Sequence, residues 1–240
     1  MRDPVLRVIA TVCLLAGMLA HAAHADEAEV RRNMQIRYPG IPVESVARTP
    51  LPGIYEVYAG GIVLYTDEKV NYIIAEGRLV DTATRTDLTA ERLRKLRAIQ
   101  FNTLPLNQSF TIVRGNCKRK LAYFADPNCS YCRRFEQDLL SVNDITIHVF
   151  LYPILSQDSI EKSRAVWCSR DRAKAWSDMM LKGIAPTAAG TCDTPVDKLL
   201  QFGREKGING TPTLILADGR RVPGAIGAAD LVKLMDEALK

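Results

Sequence analysis

Two cysteines separated by two residues, Cys129-Ser130-Tyr131-Cys132, stand where the apolar run Leu121 to Ala125 gives way to a helical pattern. A thiol at that point faces unpaired backbone N–H groups and the positive end of a helix dipole, both of which favour thiolate over thiol. The thiolate is the species that attacks a disulfide. Cys132, one turn further in, is placed to close an intramolecular bond or to release a mixed disulfide. From the residues alone three uses compete: a redox pair, a structural disulfide, and half of a zinc site. Zinc needs two further ligands, and Cys168 and Cys192 show neither a CxxC nor an HxxxH rhythm, so no metal is expected. Of three histidines, His21 and His24 fall in the leader described below. That leaves His148, which excludes three-histidine zinc catalysis. It alternates with Ile147 and Val149 on a strand pattern and reads as a core or second-face residue.

Gly210-Thr211-Pro212-Thr213 is the second feature, a proline at the mouth of an apolar strand. A cis Thr211-Pro212 bond would turn the chain sharply and leave the Thr211 backbone free to pair with an extended peptide. Thr-Pro before a strand is by itself only a turn signal. It becomes specific downstream of a strand-CxxC-helix unit. Tyr131, inside the CxxC loop, should expose its ring beside the reactive sulfur, where it can touch substrate. Trp167, Trp176, Met179 and Met180 lie at helical spacing and read as packing.

These groups need a scaffold, and the pattern supplies one. Asp26 to Arg37 reads as a short helix, and Tyr38 to Gly53 is punctuated by prolines. Ile54 to Tyr58, Ile62 to Thr66, Val70 to Ala75 and Arg78 to Val80 then read as an antiparallel meander with turns at Gly60-Gly61, Asp67 to Lys69 and Glu76-Gly77. Such a meander has little surface to bury alone, and its open edges invite pairing with a second chain. Thr89 is the expected N-cap of a helix from Ala90 to Phe101, with Arg92, Arg94, Lys95 and Arg97 facing water.

The second half opens with strand Ser109 to Arg114 and the buried strand Leu121 to Ala125, broken by Asp126-Pro127-Asn128. A helix from Cys129 to Leu140 puts Cys132, Phe135 and Leu139 on one side. Strand Ile145 to Tyr152 and helices Ser159 to Arg170 and Arg172 to Lys182 follow. Thr194 is the expected N-cap of a helix starting at Pro195 and running to Lys206. Strand Thr213 to Ala217, an Asp218-Gly219 turn, strand Arg220 to Val222 and helix Ala228 to Leu239 complete an α/β domain on a mixed sheet.

At 240 residues, 47% hydrophobic and 25% charged, the chain has the composition of one large or two modest globular domains, which excludes a disordered tail, a collagen-like rod and a multi-span membrane protein. The formal charge of +5 is dispersed, with short clusters such as Lys118-Arg119-Lys120, and calls for no nucleic-acid partner. Residues 1–25 read as a cleavable secretory signal: basic Arg2 and Arg7, an apolar run from Val8 to Ala20, and Ala23-His24-Ala25 as the cleavage site. That run is too short to cross about 30 Å of hydrocarbon as a helix, which favours a removable signal over the alternative, an uncleaved anchor. The expected destination is a compartment where disulfides form.

The stretches Phe124 to Cys132, Trp167-Cys168-Ser169-Arg170-Asp171, Gly210 to Thr213 and Val222-Pro223-Gly224 together resemble the DsbC/DsbG family of periplasmic disulfide isomerases, within the thioredoxin superfamily. The small N-terminal sheet and the helical connection resemble that family's dimerisation module, so the likeness covers essentially the whole chain after residue 25. It implies an α+β N-terminal dimerisation domain (26–86), a helical linker (87–108) and an α/β thioredoxin-like catalytic domain with a helical insertion (109–240). It further implies a V-shaped periplasmic homodimer whose cleft receives misfolded disulfide-containing proteins. The resemblance implies as well that Cys129 attacks, Cys132 resolves, Pro212 is cis and a membrane reductase of the DsbD type keeps the pair reduced; Tyr131 and Thr211 are expected from their positions to face substrate, and no cofactor is expected. Ser130-Tyr131 replaces the Gly-Tyr of the best-known isomerase, and this intervening pair tunes redox poise. The alternatives are a DsbG-like reductase of oxidised single cysteines and a dimeric chaperone holdase. Cys168 and Cys192 fit a structural disulfide closing a loop between helices, with a second redox pair as the rival. Cys117 is left over, either as an incidental thiol or as an intermolecular or regulatory one.

Overall fold

The computed structural model describes residues 26–239, so the leader expected over 1–25 lies outside the described residues. The chain divides into two compact units between Leu93 and Arg94. In the first, helix α1 (residues 26–37) buries Val30 and Met34, one turn apart, against Tyr55, Val57 and Leu64 of a four-stranded antiparallel sheet. Its strands run in sequence order: β1 (Val43–Arg48), β2 (Ile54–Ala59), β3 (Ile62–Asp67) and β4 (Ile73–Ile74).

The meander departs from the pattern reading in three places. β1 lies inside the stretch read only as proline-punctuated, with Pro42 and Pro50 bracketing the strand and leaving its ladder N–H groups free to pair. β4 is only two residues long because Asp67 gathers the N–H groups of Asn71 and Tyr72 and bends the chain before pairing begins. Val80 pairs outside this sheet: β5 (Val80–Asp81) forms a separate ribbon with β6 (Thr86–Asp87).

Helix α2 (Leu88–Leu96) spans the division between the units. Thr89 is not its N-cap. Asp87 accepts from the Ala90 N–H in that role, and the buried Thr89 hydroxyl meets Tyr65 and the Leu79 N–H. Arg92, expected to face water, donates to the carboxylate of Glu56 at 2.7 Å.

The second unit is a five-stranded mixed sheet of order β11-β10-β8-β9-β7. β7 (Phe110–Arg114), β8 (Arg119–Ala125), β9 (Ile145–Leu151), β10 (Thr213–Leu216) and β11 (Arg221–Pro223) carry it. β8 and β9 run parallel, and every other pair is antiparallel. Leu121 to Ala125 are fully buried because helices cover both faces of this central strand. Tyr123 sits with α3 (Ser130–Leu139), α5 (Arg172–Lys182) and α7 (Ala228–Glu237) in one core, while Ala122 and Phe124 pack with Phe150, Tyr152 and Leu199 of α6 (Val196–Glu205) in the other. Helix α6 starts one residue later than expected, after Pro195 and with no side-chain cap, so Thr194 does not serve as its N-cap. Gly203 in its interior is explained by Tyr152: a Cβ there would lie 2.2 Å from the ring.

Helix α4 (Gln157–Cys168) ends in the bond between Cys168 and Cys192, while Cys117 is free and exposed on the turn before β8. Closing a loop of that length removes enough freedom from the unfolded chain for about 3 kcal/mol. Replacing both residues with serine should lower stability in urea by about that amount. Non-reducing peptide mapping should recover one Cys168–Cys192 peptide, with Cys117 singly alkylated. A loss below about 1 kcal/mol, or a Cys117-linked peptide, would contradict this.

Candidate active site

The order of elements explains where Cys129 lies. β8 is apolar throughout its buried half and stops at Asp126, where the chain turns through Pro127 and Asn128 and enters α3 with Cys129 as its N-cap. The Cys129 sulfur accepts the Cys132 N–H at 3.2 Å, in the place a serine or aspartate oxygen takes at other helix starts. Its thiol donates to the Thr211 carbonyl, also at 3.2 Å. The Thr211-Pro212 peptide is cis, and the Pro212 carbonyl is held by the Gly224 N–H at 2.8 Å. The two motifs read from the sequence, 82 residues apart, thus meet at one sulfur.

The two cysteines differ sharply in environment. Cys129 is brought down to about 6, first by its hydrogen bond with the Cys132 side chain, then by Thr211 and by the Cys132 and Tyr131 backbone N–H groups, against the opposing effect of burial. At neutral pH the thiolate is therefore the favoured form of Cys129. Burial drives Cys132 strongly the other way, and the Cys129 side chain adds to the shift. Cys132 has no exposed surface, whereas Tyr131 is 64% exposed on the same first turn.

Beneath them lies an aromatic floor. The Tyr123 hydroxyl donates to the Cys132 carbonyl at 3.2 Å, and its ring meets Phe135 and Trp176 edge-on. Glu136 is buried there, accepting the Trp176 indole N–H at 2.5 Å, and burial pushes its carboxyl up to about 7. Its signal was present in the sequence, since positions 132, 135, 136 and 139 share one helical face. Asp126 breaks the strand, as its position after the apolar run suggests, and it too is fully buried. A carboxylate directly after five apolar residues was the available sign.

Other expected residues lie elsewhere. The Cys168–Cys192 bond is at the far end of α4, about 18 Å along a twelve-residue helix from the end that meets Asn128. Joined to each other, those sulfurs are unavailable as ligands beside Cys129 and Cys132. His148 is half-buried on β9, edge-on to Phe101, and burial holds it below its ordinary range.

Residues 21–90 match the family described as disulfide bond isomerase protein N-terminal domain, and residues 106–239 match the thioredoxin-like domain. The probable thiol:disulfide interchange protein DsbC of Bordetella pertussis is 42% identical over 212 residues, covering 88% of this chain and 75% of that protein. The thiol:disulfide interchange protein DsbC of Escherichia coli K12 is 26% identical over 223 residues, covering 91% of each. Among solved structures, a disulfide interchange protein from Neisseria gonorrhoeae is 37% identical, with a TM-score of 0.55 over 57% of this chain and 99% of that one.

Two measurements follow from the contrast between the buried groups. Brief alkylation of the reduced protein near pH 6 should label Cys129 and spare Cys132, with the thiolate absorbance rising through an inflection near that pH; preferential labelling of Cys132 would reverse the assignment. Glu136, raised in the folded state, stabilises fully below about 4.5 and loses that stabilisation as pH rises through about 7. Glu136→Gln should therefore gain melting temperature over the unaltered protein at pH 8 and not at pH 4.

Proposed function

We propose that this chain, which belongs to the DsbC family of thiol:disulfide interchange proteins and is by that membership a thiol-disulfide oxidoreductase and isomerase, carries its chemistry on Cys129 and Cys132. The observation that supports this most directly is the sulfur of Cys129 held between the Cys132 N–H and the Thr211 carbonyl. The Cys129 thiolate attacks one sulfur of a substrate disulfide. A Cys129–substrate bond forms, the substrate S–S bond breaks, and the expelled thiolate takes a proton from solvent. Once Cys129 is ionised it no longer donates to Thr211, and that carbonyl is free to accept an N–H from an extended substrate strand. The mixed disulfide then has two exits. A different substrate thiolate displaces Cys129, which is isomerisation. Alternatively, Cys132 loses its proton and attacks Cys129: the Cys129–Cys132 bond forms, the Cys129–substrate bond breaks and the substrate sulfur leaves as a thiolate, which is net reduction of the substrate.

The reading extends to the setting. The substrates are misfolded disulfide-containing polypeptides in the periplasm, reached through removal of residues 1–25. A membrane reductase of the DsbD type returns the oxidised pair to dithiol, with no bound cofactor and no nucleic acid involved. Two chains associate through the first unit, where β1 and β4 are open edges and Tyr72 and Ile74 stand exposed beside one of them. Two catalytic units on one dimer hold a substrate while its bonds are attacked repeatedly. A single unit does not.

Reactivation of scrambled ribonuclease tests the chemistry, and Cys129→Ala should abolish it. Sedimentation tests the assembly: the full chain should run as a dimer, and a chain beginning at Arg94 as a monomer that still exchanges disulfides but isomerises at least about tenfold more slowly, in keeping with the loss of effective concentration. A monomeric full chain, or undiminished isomerisation after truncation, would remove the first unit from the mechanism.

A further inference from the structure

The loop that carries the nucleophile is held by a carboxylate that the exchange chemistry does not use. Asp126 is fully buried. Its Oδ1 accepts the Asn128 N–H and the Ser159 hydroxyl, each at 2.8 Å. Its Oδ2 accepts the N–H groups of Ile154 and Leu155, at 2.8 and 2.9 Å. The same residue accepts the Cys129 N–H on its own carbonyl at 3.1 Å, and its main chain also faces the buried Cys132 sulfur. Asn128 repeats the attachment: its amide donates to Ser156, Asp158 and Ser159 and accepts from Lys162, all at the first turns of α4.

We propose that Asp126 is a positioning residue for disulfide exchange, its carboxylate tying the Cys129 loop to the start of α4 and so keeping the Cys129 sulfur between the Cys132 N–H and the Thr211 carbonyl. The donor set explains why an acid stands here. Three backbone N–H groups divide between two oxygens, and an N–H cannot reverse its role. A carboxamide has one oxygen, so in either orientation its NH2 meets at least one N–H donor head-on. Asp126→Asn therefore preserves volume while setting donor against donor beside the nucleophile. A loop freed from α4 carries the Cys129 sulfur away from the Cys132 N–H, and the contacts that favour its thiolate weaken together.

The inference rests on Cys129 as the nucleophile, which adduct mapping on the unaltered protein tests separately. The experiment compares full-length Asp126→Asn and Ser159→Ala with that protein, following Cys129 alkylation against pH, scrambled-ribonuclease turnover and melting temperature. Asp126→Asn should lose turnover by about tenfold or more, the scale that small misplacements of a reacting group produce. Its alkylation inflection should rise by about one pH unit. Ser159→Ala removes one of the four donors and should move both quantities in the same direction by less. It also decides the matter if Asp126→Asn does not fold. A lower melting temperature with the Cys129 inflection and turnover unmoved, in whichever variant folds, would reduce Asp126 to a structural role and overturn the inference. Labelling of Cys132 in the unaltered protein would instead overturn the nucleophile assignment.

Discussion

The hydrogen bond from the Cys132 N–H to the Cys129 sulfur is the contact on which the contrast between the two cysteines depends, because it exists only if the sulfur occupies the N-cap position of α3. An N-cap serine or aspartate satisfies a helix start and has no further task. A cysteine there takes the same bond and, in exchange, keeps its electron pair unprotonated near neutral pH. Burial alone would push this thiol up, as it does Cys132. The asymmetry between two cysteines three residues apart is thus an asymmetry of helix position, and it is the asymmetry that the proposed attacking and resolving roles require.

Everything packed around that contact limits movement. β8 is buried on both faces and delivers the loop at a set depth. Tyr123 rises from it to bond the Cys132 carbonyl, the strand pair β10–β11 presents Thr211, and Asp126 secures the turn to α4. At the other end of α4 the Cys168–Cys192 bond fixes the helix into the loop that follows α5. The fold carries two free thiols beside one end of this helix and a bonded pair at the other. That separation matters for an enzyme whose own disulfides are within reach of the reaction it performs.

The residues described at this site all belong to the second unit. The value of the first unit lies in a sheet that ends in unpaired strands and exposed apolar side chains, a combination that disfavours an isolated existence. Burying Glu136 and Asp126 runs against the preference of carboxylates for water, yet each meets its own donors: one indole N–H for the first, four hydrogen bonds for the second. Burial, opposed by that one indole N–H, raises the Glu136 carboxyl to about 7.

Local rules made much of this legible in advance. The apolar run, the CxxC and the threonine-proline each depend on neighbours close in the chain, so strand, helix start and turn followed from spacing, as did the burial of Cys132, Phe135 and Leu139 on one face of α3. The same rules placed Thr89 and Thr194 at helix starts where Asp87 and a bare Pro195 stand, because capping is decided by which side chain can reach a free N–H, and Thr89 was already taken by Tyr65 and Leu79. They missed β1, whose pairing partner lies across a turn, and read one strand over Val70 to Ala75 where Asp67 captures the Asn71 and Tyr72 N–H groups and leaves only Ile73–Ile74 paired. What the sequence by itself determined was the chemistry available: a thiol at a helix start, a second thiol one turn inside and a turn before a strand. What the tertiary structure alone decided was their meeting, the 3.2 Å from the Cys129 sulfur to a carbonyl 82 residues away. It also decided the four donors converging on Asp126, since hydrogen bonds between distant segments are set by how the sheet stacks them and leave no periodic trace in the chain.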